Sequence, residues 1–269
     1  MDESVLIVDE TGLKVEDIYS DESYALRQIH VRDAATQMAG MQRIAHAFVQ
    51  NPATILQELV HAAVDLCGAD SAGISTIKED CTDSDYYHWV ATAGEYSGFL
   101  NAILPRYPSA CGICLERGRP QLFRVGQRFF EIMGIQAPLV TDGILLPWQV
   151  DETRGTIFVM AHGRPDAFDL EDCRMMQILA DFAAMGIRQQ KQQELLLRQA
   201  ANAAAVAMAN ELAHKINNPL QSLTNIFYLA GAGHNGEEAK IVARQASGEL
   251  DRLSTLVSEL LTLPYRKNT

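Results

Sequence analysis

Apolar positions along the chain change their period, and each change marks an element. From about Val31 to Val49 they recur at helical spacing. Asn51-Pro52 then reads as a helix start, with Asn as cap and Pro at the first position, where its missing N–H costs nothing. Ile55, Leu59, Ala63 and Leu66 follow on one face of that helix. The texture then turns to strands: SAGISTI (71–77) and YYHWVATAG (86–94) are rich in β-branched and aromatic residues. GILLPWQV (143–150) and GTIFVMAH (155–162) flank four polar residues, 151–154, and predict an antiparallel hairpin at the centre of a sheet.

A helix is predicted to open at FDLEDCRMMQIL, with Asp169 as cap, Asp172 at the third position, and Met176, Leu179, Ala183 and Ile187 as its buried stripe. From Leu170 to about Ala230 the only breakers are Gly186 and Pro219, so the pattern predicts one long connecting helix. GAGHNGEE (231–238) is a Gly-rich link of helix-hairpin length. Beyond it, Ala239, Ala243, Ala246, Leu250, Leu253, Val257 and Leu260 alternate spacings of four and three, as a bundle seam does. Helix, sheet, helix and then a helical hairpin define an α+β domain, an antiparallel sheet flanked by helices, followed by an all-α one. A lone hairpin has little core, so the seam implies a second copy and a dimeric four-helix bundle.

Composition narrows the function classes. The chain of 269 residues is 48% hydrophobic and carries a net charge of -12 with no basic run, which excludes nucleic acid and an anionic membrane surface as expected partners. An acidic N-terminus and the lack of a membrane-length apolar stretch lead to a cytoplasmic expectation. Residues 1–39, acidic and weakly patterned over their first thirty positions, read as a lead-in. The five cysteines are odd in number and scattered, which suits reduced thiols. Cys111 and Cys114 form a CxxC, but no second ligand pair completes a zinc site, and small buried side chains are the favoured reading. No metal is expected.

The chemistry concentrates in ELAHKINNPLQSLTNIFYLA (211–230). At about 100° per residue, Met208, Leu212, Ile216, Leu220, Leu223 and Phe227 fall within roughly 120° of one another, and His214 lands nearly opposite, toward water. An exposed histidine is most often an ordinary surface residue. The flanking residues change that reading: His214, Ile216, Asn217, Asn218, Pro219 and Leu220 resemble the H box of sensor histidine kinases. The resemblance implies that His214 accepts the γ-phosphoryl group of ATP and passes it to the Asp of a response-regulator receiver domain. Asn218 matches the position that orients a water in the phosphatase reaction. Pro219 matches the proline that kinks the first helix. Lys215 departs from the family, most of whose members carry an acid directly after the histidine. No ATP-binding motif occurs, and only a short tail follows the second helix. The expected reading is therefore a phosphoacceptor half, with ATP and Mg²⁺ supplied by a catalytic ATP-binding domain in trans. Whether the chain is itself an enzyme stays open, and a non-catalytic dimeric scaffold or ligand-binding regulator is the rival.

Residues 40–190 resemble a GAF sensor domain, on PATILQELVHAAVDLCGADSAGISTI, SACGICLERGRPQLF, DGILLPWQVDETRGTIFVMAH and FDLEDCRMMQILADFAA. The expected organisation is thus a lead-in (1–39), the GAF sensor (40–190) and a dimerisation and histidine phosphotransfer hairpin (191–269). GAF domains often bind small molecules over the sheet. No adjacent Cys-His pair here suggests bilin attachment, and isolated histidines such as His88 and His162 are weak evidence for haem. The GAF ligand is left unknown.

Overall fold

The computed structural model describes residues 5–8, 11–50, 52–77, 86–231 and 236–262. Strands β1 (Val5–Val8) and β2 (Leu13–Asp17) come first, then helices α1 (Glu22–Ala25), α2 (Ala34–Gln50) and α3 (Ile55–Cys67). Strands β3 (Ser71–Ile77), β4 (Tyr86–Gly94) and β5 (Ile103–Pro105) precede helix α4 (Ala110–Arg117), strand β6 (Gln121–Val125) and helix α5 (Gln127–Met133). Strands β7 (Asp142–Val150) and β8 (Thr153–Ala161) lead into helix α6 (Leu170–Gly231), and α7 (Gly236–Thr262) ends the series. Two compact units result, Met1–Gln193 and Glu194–Thr269, and α6 contributes residues to both. The expected cap Asn51, the thiol Cys81, positions 232–235 of the Gly-rich link and the seam side chains Ala239 and Leu260 lie outside the described residues.

The first unit is built on an eight-stranded antiparallel sheet in the order β1-β2-β6-β7-β8-β3-β4-β5. The expected hairpin of β7 and β8 occupies its centre. Its loop is shorter than the four polar residues suggested: Val150 pairs with Thr153, so only Asp151 and Glu152 connect the strands. Asp151 takes a φ of 51°, a left-handed conformation that a short polar side chain tolerates better than most.

Both faces of the sheet are covered, which is why β8 reads as an unbroken apolar run. Ile157, Val159 and Ala161 point to the face packed by α3 and the start of α6, whose stripe Met176, Leu179, Ala183 and Ile187 is buried as expected. Phe158 and Met160 point to the opposite face, against Cys111 and Cys114 of α4 and Phe130 of α5. Strand β4 contributes to both faces through a β-bulge. Ala91 pairs with Ile74 and Trp89 with Ser75, so Val90 is the extra residue. Ala91 and Ala93 consequently pack on the helix face, while Tyr87 and Trp89 are delivered to the other.

The lead-in expectation is corrected. Residues 13–17 pair along β6, Leu13 and Val15 are buried on the α4–α5 face, and Ile18 and Tyr24 join the other core. A five-residue alternation in which Lys14 and Glu16 bridge each other at 2.8 Å gives too short a period to stand out among acidic neighbours. The segment is also tied by charge: Arg27 bonds Asp142 of β7 and the Phe168 carbonyl.

Helix α6 starts as predicted. Asp169 Oδ1 accepts from the backbone N–H groups of Glu171 (2.8 Å) and Asp172 (3.2 Å), while Asp172 Oδ2 accepts from the Asp169 N–H (3.1 Å). Burial raises the Asp169 carboxyl, but hydrogen bonds led by the His30 N–H outweigh it and hold the group below the usual carboxylate range. Asp169→Ala is expected to cost about 1–2 kcal/mol at neutral pH, read from urea denaturation. A carboxyl lowered on folding stabilises fully above its unfolded value of about 3.9 and loses that contribution as pH falls through the folded value. The gap between variant and wild type should therefore close in strong acid.

Candidate functional site

In the second unit, α6 continues through Pro219 and lies beside α7, with Ser222 Oγ 3.4 Å from Glu249 Oε1. The covered side of α6 carries Leu223 and Pro219, flanked by half-buried Leu212, Ile216 and Ile226. His214 is exposed, and so is Asn218 one turn on. A four-residue step places the two side chains about 40° apart, on one solvent-facing side. Lys215 Nζ is 2.8 Å from Glu211 Oε1, and that contact holds the Glu211 carboxyl below its ordinary value. Lys215 and Asn218 also line a groove with Pro219 and Ser222 of α6 and Glu249 and Arg252 of α7. Asn218 thus has the groove on one side and His214 on the other.

Each helix leaves an apolar flank bare beside the covered one. On α6 these are Leu220 (46% exposed) and Phe227 (62%), which the helical pattern had placed within the core stripe. On α7 Ala246 is buried, whereas Leu250 and Val257 of the same seam are exposed. One neighbouring helix can cover only part of a 120°-wide stripe, so the remainder stays open.

In the first unit, the sheet face under α4 and α5 encloses a cavity of about 80 Å³. Its lining is aromatic and aliphatic, and includes Tyr87, Trp89, Tyr96, Phe158 and Met160. Trp89 stands 4.9 Å from the Phe158 ring and 6.1 Å from that of Tyr96. Burial pushes the Tyr87 phenol up to about 12, so its hydroxyl stays a donor. The sequence reading did not find these residues: the bulge at Val90 hides which side of β4 they occupy.

Two weaker candidates lose their basis. His162 does not line the cavity: its Nδ1 is 2.9 Å from the Leu139 carbonyl, its Nε2 is 2.8 Å from Ser71 Oγ, and its ring stacks on Tyr96. Both nitrogens are therefore engaged. His88 lies between Tyr87 and Trp89 and, by strand alternation, on the opposite side of β4 from them. His30, Asp169 and Asp172 bring possible ligand atoms within 4.8 Å of one another, yet their oxygens already serve the α6 cap and the ion pair of Asp172 with Arg32 at 2.9 Å. Cys111 and Cys114 are buried, and burial raises both thiols. Native protein at pH 8 is expected to resist iodoacetamide at Cys67, Cys111, Cys114 and Cys173, with labelling appearing only in denaturant, as peptide mass spectrometry would read.

The antiparallel sheet thus carries α3 and the start of α6 on one face, and α4, α5 and an aromatic cavity on the other. Residues 49–188 match the GAF domain family, and the chain belongs to it. The fold is similar to the GAF domain from an Acinetobacter phosphoenolpyruvate-protein phosphotransferase (14% identity, TM-score 0.47, covering 60% of this chain and 97% of that one). It is also similar to a phycoerythrobilin-bound GAF domain from a cyanobacterial phytochrome (15%, 0.44, 60% and 100%). A third similar structure is a GAF domain assigned to a sensor histidine kinase of Pseudomonas syringae pv. tomato (17%, 0.41, 62% and 94%). No curated protein sequence matches the chain. Among the described residues no helix is long and apolar enough to cross a membrane.

Proposed function

We propose that this protein is a two-component signalling protein in which the GAF domain senses a cue and His214 carries a phosphoryl group. The observation that carries the reading is the exposed His214 sharing one face of α6 with Asn218, inside a sequence that resembles the H box. A neutral imidazole nitrogen attacks the γ-phosphorus of ATP, the bond to the bridging oxygen breaks, and ADP leaves. The resulting phosphoramidate passes its phosphoryl group to an aspartate of a response-regulator receiver domain. An ATP-binding domain supplies the nucleotide and Mg²⁺, since phosphoryl transfer depends on positioning and charge stabilisation. Asn218 orients the water that hydrolyses the phosphorylated regulator.

The working unit in this proposal is a cytoplasmic homodimer whose bundle buries Leu220, Phe227, Leu250 and Val257 against a second copy. Leu250→Glu is expected to convert the dimer to a monomer in light scattering after gel filtration, because a carboxylate in an apolar seam is strongly disfavoured.

The test of phosphotransfer incubates the purified chain with radiolabelled ATP and the ATP-binding domain of a related kinase. Acid-labile label on wild type that is absent from His214→Gln supports the proposal. Absence of label, from ATP and from a phosphorylated receiver alike, rejects it. A second reading draws on Lys215, which stands where related kinases carry an acid: a dimeric GAF scaffold that regulates partners by contact, with His214 never modified. The same labelling experiment separates the two.

A further inference from the structure

We infer that Glu211 is the positioning residue of His214: its carboxylate, one turn earlier on α6, takes the ring's Nδ1–H and leaves the Nε2 lone pair for phosphorus. The inference rests on the phosphotransfer reading above and names the residue that prepares its nucleophile.

The chemistry sets the demand. A neutral imidazole exists as two tautomers, and only the nitrogen without a proton can attack. Which nitrogen that is depends on the hydrogen bond the other one makes. An acceptor at Nδ1 leaves the outer nitrogen, Nε2, bare, as carboxylates do for metal-binding histidines. When Nε2 bonds to phosphorus and the donor's bond to its leaving group breaks, the ring becomes cationic, and a carboxylate at Nδ1 shares its proton.

Only one residue meets that demand along the helix. The side chains three or four positions from His214 belong to Asn210, Glu211, Asn217 and Asn218, and Glu211 alone is an acid. It is also the only carboxylate of α6 after Glu194. Three residues back is about 60° round the helix and about 4.5 Å along it, and Cβ atoms at that spacing lie about 5–6 Å apart. Asn218 turns to the same side but lies the other way along the axis, so Glu211 and Asn218 bracket the ring on one face. All three side chains are exposed. Lys215 supplies the remaining condition. Its Nζ lies 2.8 Å from Glu211 Oε1 and holds that carboxyl below its ordinary value, hence ionised. A carboxylate has about four acceptor sites, so the ammonium leaves room for an imidazole N–H. The acid missing after the histidine thus stands three residues before it, and the lysine in its place keeps that acid charged.

The experiment uses the full chain with ¹⁵N-labelled histidine, whose ring nitrogen shifts report the tautomer. At about pH 9, above the ordinary imidazole value of about 6.5, the rings are neutral. His162, whose Nδ1 lies 2.9 Å from the Leu139 carbonyl, marks the Nδ1–H form. His46, exposed on α2 with no acid within four residues, marks a ring without a carboxylate neighbour on its helix. His214→Gln identifies the signal by its loss. His214 is expected to resemble His162 more than His46, to revert toward His46 in Glu211→Gln, and to stay near wild type in Lys215→Gln. Phosphoramidate then serves as a donor that needs no ATP-binding domain: Nε2 attacks phosphorus, the P–N bond breaks and ammonia leaves. Peptide mass spectrometry should show His214 loading about fivefold more slowly in Glu211→Gln, the size of one net hydrogen bond, with His46 unchanged.

Three results overturn the inference: one tautomer ratio at His214 in wild type and Glu211→Gln, an unchanged loading rate, or equal loss of the tautomer in Glu211→Gln and Lys215→Gln. The last would make the pair a helix-stabilising bridge alone. The substituted side chains are exposed, and an unchanged His162 pattern reports an intact fold. The tautomer measurement involves no phosphoryl transfer. Label from ATP on His214 with the tautomer unmoved therefore rejects only the role of Glu211, and the expected tautomer without such label rejects only the phosphotransfer reading.

Discussion

Arg27→Ala is expected to lower the stability of the protein by about 3–5 kcal/mol, the largest loss from any single polar substitution considered. Arg27 reaches from the N-terminal segment to the start of β7, and its side chain is only 6% exposed. Nη1 donates to Asp142 Oδ2 and to the Phe168 carbonyl, each at 2.7 Å, and Nη2 donates to Asp142 Oδ1 at 3.2 Å and to Asp166 Oδ1 at 2.7 Å. The guanidinium also sits 4.8 Å from the Tyr24 ring centre. Asp142 is wholly buried, and its other nearby cation, Arg124 Nη2, is 3.9 Å away. Truncating Arg27 therefore leaves a desolvated carboxylate with only the Phe168 N–H at 3.2 Å and that distant cation, and the residual charge is the main cost. Urea denaturation gives the loss directly as a fall in midpoint at unchanged slope. The double variant Arg27→Met/Asp142→Leu should recover much of it, because the orphaned charge is gone. A loss below about 1 kcal/mol in Arg27→Ala would mean that the N-terminal segment does not dock as described.

Gly155→Ala is expected to cost about 3 kcal/mol or more, or to prevent folding. Gly155 lies in β8 opposite Thr76 of β3 on one side and Trp148 of β7 on the other. A methyl group there would come within 1.9 Å of the Ser75 carbonyl oxygen and 2.3 Å of the Trp148 ring. The first of these is backbone in the middle of the sheet, so no rotamer change relieves the clash. Gly98 is the control: nothing lies within 4 Å of an added Cβ, and Gly98→Ala should stay within about 0.5 kcal/mol. Thermal melts of both variants beside wild type check the pair. Equal melting temperatures would contradict the close approach of β3 and β8.

What the sequence reveals follows from how many residues carry each signal. Strands β3 and β4 are legible because three of seven and five of nine residues are β-branched or aromatic with no charged residue among them, and their bounds agree with the pattern. The stripe from Met176 to Ile187 is legible because four buried positions repeat over three turns. Strand β2 is not, since Leu13 and Val15 alone mark its inner side and both need the distant β6 to become buried. For the candidate site the division is similar. The exposure of His214 follows from a wheel centred on Leu212, because one helix determines it. The cavity needs residues from β4, β8, α4 and α5 together, and no local period records their meeting. On α6 the wheel also places Leu220 and Phe227 in a core that one chain does not close, since the pattern encodes burial without saying which helix provides it.

The extra residue in β4 has an evolutionary consequence. Side chains before Val90 and after it sit out of phase, so loss of that one codon would carry Tyr87 and Trp89 across the sheet and bring His88 toward the cavity. A single in-frame deletion can thus exchange an aromatic cavity wall for one that bears an imidazole, a change that point substitutions would need several steps to match.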